Sequence, residues 1–222
     1  MKKMDFYEFA GVLAPGVIAI YGLSRIYPDL GLLVTGADIS FGELGLLLVL
    51  AYVAGHLVQS LGNLLEIIWW KCAGGWPCDW IRIGRGDILA GAQFVVLPAR
   101  IRQLLQLDCP DDLTTISEKD WRAISKQAYT VVRKAGRSER IDIFNGNYGM
   151  FRGIAASLIV ILAAYLVDLE RYNWRLIGAF GVMLGLSLLR MHRFGVHYSR
   201  ELFLQFIGLT FGESAPAKKE AE

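Results

Sequence analysis

A row of polar side chains interrupts the longest uncharged stretch of the chain, residues 44–65, and continues one residue beyond it. The row consists of Tyr52, His56, Gln59, Asn63 and Glu66. At about 100° per residue, spacings of three and four place these side chains within an arc of about 80° on one face of a helix. An imidazole, two amides and a carboxylate in one line can hold water, guide an ion or bind a neighbouring helix.

The stretch that carries this polar row predicts a transmembrane helix. Residues 44–65 are long enough to cross a hydrocarbon core of about 30 Å at about 1.5 Å per residue. Polar groups are costly in hydrocarbon, so the row must face protein or water rather than lipid. Gly55 and Gly62 lie beside it and would let a second backbone come close. Leu48 and Val49 share the arc toward the outer end and predict an apolar gate that closes by dewetting.

Composition places the chain among integral membrane proteins. Of its 222 residues 54% are hydrophobic, the mean hydropathy is +0.39, and the formal net charge is +2. Such a chain is too apolar for an ordinary soluble domain, and its charge near zero argues against direct nucleic-acid binding. Cys72 and Cys78 have no second Cys or His pair beside them, so we expect no metal site and no cofactor.

Apolar stretches and polar linkers predict an all-α membrane protein with four transmembrane helices and a small, mainly helical cytoplasmic insert between helices two and three. In the first span, 6–27, Pro15 removes one helix hydrogen bond and predicts a kink. We expect transmembrane helices one and two in 1–70, the insert in 71–149, helices three and four in 150–190, a cytoplasmic helical extension in 191–211, and a disordered tail in 212–222.

The distribution of Lys and Arg predicts the orientation of the chain. Residues 28–40 contain neither, whereas residues 71–149 are rich in both. In membrane proteins the cytoplasmic loops carry the excess of Lys and Arg. We therefore expect a multi-pass protein with its N-terminus, its C-terminus and the insert in the cytoplasm.

The first part of the insert combines tryptophans with an apolar segment. Four indole rings predict an interfacial collar at the depth of the lipid headgroups: Trp69, Trp70, Trp76 and Trp80. Residues 88–98 are apolar but too short to span a bilayer. They fit a re-entrant segment, a strand or a piece of core.

The second part of the insert carries the signature of a soluble helix. Ser117 and Asp120 form a capping box at its start. The residues that follow place four apolar side chains on one face: Trp121, Ile124, Ala128 and Val131. A polar opposite face then predicts a small helix that packs on the rest of the insert.

A second row, of basic side chains, follows the fourth span. Its members share one arc of the cytoplasmic extension: Arg190, Arg193, His197 and Arg200. With Arg152, at the start of helix three, they predict a cytosolic basic site that fits lipid headgroups, a small anionic signal or an acidic protein partner. Because a guanidinium forms bidentate bonds with a carboxylate, we expect Glu66 to pair with Arg152 or with one of the first two arginines of this row.

Three short motifs resemble those of small bacterial inner-membrane proteins with four helices. They are Leu-x-Pro-Gly at Leu13 to Gly16, Gly-His-x-x-Gln at Gly55 to Gln59, and Tyr-Gly-x-x-Arg at Tyr148 to Arg152. The likeness covers the membrane part and not the insert. Some of these proteins resemble membrane effectors encoded beside anti-phage systems, in which a cytosolic partner or signal triggers an oligomeric membrane protein to depolarise the cell. The resemblance implies that location, assembly and activity here.

Three functional classes compete. In the first, a homo-oligomer uses the row from Tyr52 to Glu66 to line or seal an ion path. In the second, a non-conducting anchor or sensor, the row is interhelical glue at about 0.6 kcal/mol per contact and the insert docks a cytosolic protein. In the third, His56 and Glu66 act as base and acid of an enzyme, but they lie about 15 Å apart along the helix and no catalytic motif accompanies them. The sequence favours the pore.

Overall fold

The computed structural model describes residues 6–31, 41–86, 88–167 and 173–210, and every regular element within them is helical. The expected all-α class is therefore correct for this part of the chain. The helices are α1 (Phe6–Ser24), α2 (Pro28–Gly31), α3 (Phe41–Cys72), α4 (Pro77–Arg82), α5 (Gly91–Leu105), α6 (Glu118–Lys134), α7 (Glu139–Val167) and α8 (Trp174–Ile207), with a 3-10 turn at Leu113–Thr115.

Three of the described stretches are long and apolar enough to cross a membrane. They are Phe41–Arg82, Glu139–Val167 and Trp174–Ile207. The first predicted span, 6–27, contains a shorter apolar helix, Gly11–Ser24. The predicted disordered tail at 212–222 lies outside the described residues.

Helix α7 begins earlier than the predicted third span. The sequence interpretation started that span at Met150, whereas α7 runs without a break from Glu139. Ser138 precedes the helix and donates a hydrogen bond to Asp142 Oδ2 at 2.8 Å, so a polar side chain supports the first turn. At about 1.5 Å per residue, the 29 residues of α7 extend for about 44 Å, longer than a hydrocarbon core of about 30 Å.

The chain divides into two compact units. The first comprises Met1–Trp69 and Gly146–Arg193, and the second comprises Trp70–Asn145 and Phe194–Glu222. The expected separate extension, 191–211, therefore belongs mostly to the same unit as the insert. In that unit the indole of Trp121 stacks on Phe203 with ring centroids 5.3 Å apart.

Close backbone approach organises the first unit. A Cβ added to Gly16 would overlap the carbonyl oxygen of Ala51, and one added to Gly55 would overlap the carbonyl oxygen of Val12. Helices α1 and α3 can lie this close only because both positions lack side chains. Behind the contact, Ala19 packs with apolar residues of α3 and α7 in a small core.

Two of the four tryptophans expected in the collar at the headgroups are buried instead. Trp70 and Trp80 are only 1% and 8% exposed and lie within 6.0 Å of each other in the core of the second unit. Trp69 is half-buried and donates to Nδ1 of His192 at 3.3 Å. The collar prediction is wrong for Trp70 and Trp80 because both rings are covered by packing within the chain and do not face lipid headgroups.

Residues 88–98 and the segment after Ser117 both contain helix in the structure. Residues 88–98, for which a strand was one interpretation, contain the start of α5, and Leu97 and Pro98 are buried. Ser117 caps α6, since its hydroxyl accepts from the backbone N–H of Asp120 at 3.2 Å and contacts Oδ2 of the same residue at 2.7 Å. On α6 the buried face includes Val132 where the sequence indicated Val131, which is half-buried.

Candidate functional site on helix α3

The polar row of α3 is divided lengthwise in the structure. Gln59 and Glu66 are half-buried and bond to neighbouring helices. Tyr52, His56 and Asn63 are exposed on the surface of the chain. One edge of the row therefore faces α1 and α7, and the other edge lies on the exposed surface of the chain.

Glu66 lies in a charged cluster with two residues of α7. Arg152 forms an ion pair with it from Nη1 to Oε2, and the hydroxyl of Tyr148 donates to Oε1 at 2.6 Å. The side chains of Glu66 and Arg152 are 12% and 20% exposed. The predicted ion pair of Glu66 is confirmed, and its partner is Arg152 rather than an arginine of α8.

Gln59 connects this cluster to the first helix. Its Oε1 accepts from Nη2 of Arg152 at 3.1 Å, while its Nε2 donates to the carbonyl oxygens of Gly11 at 2.8 Å and Gly149 at 3.1 Å. In an α-helix the carbonyl of Gly11 would accept from residue 15, but Pro15 has no N–H. Gln59 therefore supplies the donor that the proline removes.

Small residues make room for these bonds. A Cβ on Gly153 would stand 2.7 Å from both Gln59 Nε2 and Pro15 Cγ, and a Cβ on Gly62 would stand 3.3 Å from Cγ of Arg152. One turn further along α7, the hydroxyl of Ser157 donates to the carbonyl oxygen of Pro15 at 2.8 Å. The network thus connects α1, α3 and α7. Its side chains fit between the helices because Gly62 and Gly153 leave space for them.

The three short motifs of the sequence meet in this network. Pro15 and Gly16 come from the first, Gly55 and Gln59 from the second, and Arg152 with Tyr148 from the third. No family model, curated protein or solved structure matches the chain.

The predicted basic site is distributed over two units. Arg152 is engaged by Glu66, and the guanidinium of Arg190 lies over the ring of Phe151 at 5.4 Å, both in the first unit together with Arg193. In the second unit His197 stacks on Phe144 with centroids 5.5 Å apart, and Arg200 is exposed. Within the first unit, Arg152 and Arg190 therefore each have a partner of their own.

The predicted apolar gate lies on the surface of the chain. Leu48 and Val49 are 44% and 59% exposed. In this N-terminal part of α3, Ala51 is buried whereas most of its neighbours are exposed. A gate at this level therefore requires contacts beyond a single chain.

Sequence reasoning missed two participants in the network. Tyr148 precedes Arg152 by four residues, one helical turn, so both side chains share a face and could reach the same carboxylate. The carbonyl of Gly11 is signalled by the proline four residues later. Both signals are present in the sequence, but neither one indicates which residue of another helix it meets.

Proposed function

We propose that the chain is a subunit of an oligomeric integral membrane protein that forms or gates an ion-conducting pore. The supporting observation is the exposure of Tyr52, His56 and Asn63 on a helix long and apolar enough to span a membrane. Polar side chains inside the hydrocarbon core of a membrane require protein or water around them. In an oligomer, the α3 helices of neighbouring subunits would surround these side chains with protein and with the water of the path between them.

The geometry supports a path with one polar and one apolar part. The exposed edge of the row would line the path between subunits, and Leu48 with Val49 would form its apolar constriction. The ion pair of Glu66 and Arg152 would close the inner end while the protein rests. A cytosolic protein or small anion that competes for the arginines would open it and depolarise the cell.

The setting of this pore is part of the same proposal. Helix α1 serves as a fourth span, both termini and the second unit lie in the cytoplasm, and the membrane is the bacterial inner membrane. The motif resemblance supports a role in anti-phage defence. The chain carries out no enzymatic step in this proposal, because His56 is exposed and Glu66 is held in an ion pair about three turns further along α3.

Single-channel recording of the purified protein in planar bilayers tests the proposal. His56→Leu and Asn63→Leu should insert and assemble like the parent, because a more apolar helix inserts more readily, and should conduct less. Ser60→Ala is the matched control, since its hydroxyl is occupied by the carbonyl oxygen of His56 at 3.2 Å. Unchanged conductance in both leucine variants would contradict the role of the row.

A second function, a non-conducting anchor or sensor, is favoured by one observation. The polar groups of Gln59 and Glu66 form hydrogen bonds with α1 and α7 of the same chain, as expected of residues that hold transmembrane helices together. In this case the second unit would dock a cytosolic protein. A protein that shows no conductance in bilayers under any condition, yet is assembled and folded, would favour the anchor.

A further inference from the structure

The large apolar side chains that the second unit exposes are confined to one short region. Among its described residues they are Ile83, Val95 and Val96, with exposed fractions of 44%, 76% and 42%. A soluble surface scatters such residues singly, whereas a localised group marks a contact. The group lies at the start of α5 and in the turn before it.

Helix α5 has two apolar faces. Leu97, Pro98 and Ile101 point into the unit and are buried. The opposite side also lacks charge, since residues 88–99 contain no Asp, Glu, Lys or Arg. On that side Ala92 and Ala99 are exposed together with the two valines. One face therefore packs in the core, and the other is exposed among the residues that the structure describes.

A chain of contacts connects this face to the end of a spanning-length helix. A Cβ on Gly84 would stand 3.9 Å from Cζ of Phe94, which places the turn at 83–86 beside the first turns of α5. Arg85 of that turn donates to the carbonyl oxygen of Gly74 at 3.1 Å. Gly74 in turn donates to the carbonyl oxygen of Lys71, in the last turn of α3.

Exposed cations border the same region. Lys71 and Arg85 are exposed, and the guanidinium of Arg85 is held over the ring of Trp80 at 5.2 Å. An apolar strip with basic residues at its edge is the pattern of a helix that lies in the interface of an anionic membrane. Protein interfaces instead centre on large aromatic anchors, and the exposed strip consists of valine, isoleucine and alanine.

We propose that the exposed face of α5, with Ile83, is a second lipid-contact surface that lies on an anionic leaflet of the membrane. Val95 and Val96 enter the boundary between headgroups and acyl chains, and Lys71 with Arg85 face the lipid phosphates. The contact holds the second unit against the bilayer. It does not depend on whether the protein conducts.

Depth-dependent quenching in the full chain tests this contact. The protein carries Cys72→Ala, which removes its exposed thiol, and Val95→Cys labelled with an environment-sensitive fluorophore. It is reconstituted into vesicles of phosphatidylglycerol and phosphatidylcholine. The matched control is Lys126→Cys, at an exposed position on the polar face of α6. The Cys72→Ala chain without a new cysteine gives the background.

The Val95 label should be quenched by spin-labelled acyl chains and be at least about threefold less sensitive to aqueous iodide than the Lys126 label. Adding Val96→Glu should return the Val95 label to iodide while the helical circular dichroism stays unchanged. Vesicles of phosphatidylcholine alone should reduce the lipid quenching, because the cations lose their anionic partners.

Three results would overturn the proposal. Equal iodide quenching at both positions would show a face open to water. Protection of the Val95 label from iodide and from lipid-borne quenchers alike would show a protein cover, from a second copy or another partner. Quenching that is identical with and without anionic lipid would remove the role given to Lys71 and Arg85.

Discussion

Gln59 donates a hydrogen bond from Nε2 to the carbonyl oxygen of Gly11 across 2.8 Å, and the helix itself cannot make this bond because Pro15 has no N–H. The same amide accepts from Arg152, which pairs with Glu66. The helix hydrogen bond that is missing at Pro15 in α1 is thereby connected to the charged cluster between α3 and α7. Several properties of the protein should depend on this connection.

The first prediction is that Gln59→Leu destabilises the protein by about 1–3 kcal/mol, because it leaves the Gly11 carbonyl and one N–H of Arg152 without a partner. Adding Pro15→Ala restores a backbone N–H at position 15 and should recover part of that loss. Unfolding titrations in detergent of the two single variants and the double variant measure the coupling. His56→Leu, on the exposed edge of the row, is the control and should change stability little. Strictly additive effects of the two changes would contradict the proline explanation.

The second prediction concerns the ion pair. Glu66→Gln removes the charge that Arg152 and Tyr148 bond to, and breaking such a buried pair costs about 3–5 kcal/mol, so stability should fall. If the pair closes the inner end of a path, cells that express the variant should take up more dye and should lose part of their membrane potential without a trigger.

Two further variants separate the roles of charge and hydroxyl in this pair. Tyr148→Phe keeps the ion pair and removes one hydrogen bond, so it should lie between the parent and Glu66→Gln. Glu118→Gln, an exposed carboxylate of α6, is the control for loss of charge. A Glu66→Gln protein that folds and leaks no more than the parent would refute the closing role.

The third prediction is that Gly55→Ala destabilises the contact of α1 with α3, since the added Cβ would overlap the carbonyl oxygen of Val12. Overpacking of this kind costs about 1–3 kcal/mol. Gly45→Ala on the same helix meets nothing within 4 Å and should be neutral or stabilise by up to about 1 kcal/mol. Thermal unfolding in detergent measures both. Equal effects of the two substitutions would place the close approach of these helices in doubt.

The fourth prediction concerns the cysteines. Cys72 is exposed, whereas Cys109 is 1% exposed and burial raises the pKa of its thiol. Because the thiolate is the reactive form, a maleimide should label Cys72 rapidly and Cys109 only after unfolding. Since the folded state holds the Cys109 proton more tightly than the unfolded state, the free energy of unfolding should fall as the pH rises above the ordinary thiol range.

The same thiols test the orientation. A membrane-impermeant maleimide applied to intact cells should leave Cys72 unmodified, and the same reagent should label it after permeabilisation. Mass spectrometry of the peptide that contains Cys72 gives the labelled fraction. Rapid labelling from outside would reverse the proposed topology.

Much of the helical architecture could be predicted from the sequence. The uncharged run at 44–65 lies inside α3, and the capping residues at Ser117 begin α6. These features are local, because hydrophobic runs, caps and periodicity act within one segment of chain. The start of α7 was missed because the segment after Glu139 is polar yet continues as helix into the apolar run.

For the candidate site, too, the sequence predicted the local spacing of residues but not their contacts with other helices. Spacing placed Gln59, Asn63 and Glu66 on one face, but it did not indicate that the face would be divided between a buried edge and an exposed edge. Periodicity specifies a direction around a helix axis and leaves open where the neighbouring helices stand.

By itself the sequence determined the all-helical class, the long apolar helices and the position of the proline that removes a donor from α1. Only the tertiary structure decided that Gln59 replaces that donor, that Arg152 is the partner of Glu66, and that Trp70 belongs to a core. The reason is physical. A guanidinium, an amide or an indole is satisfied equally well by several partners, and the choice among them depends on which backbones can approach, as they do at Gly16 and Gly55.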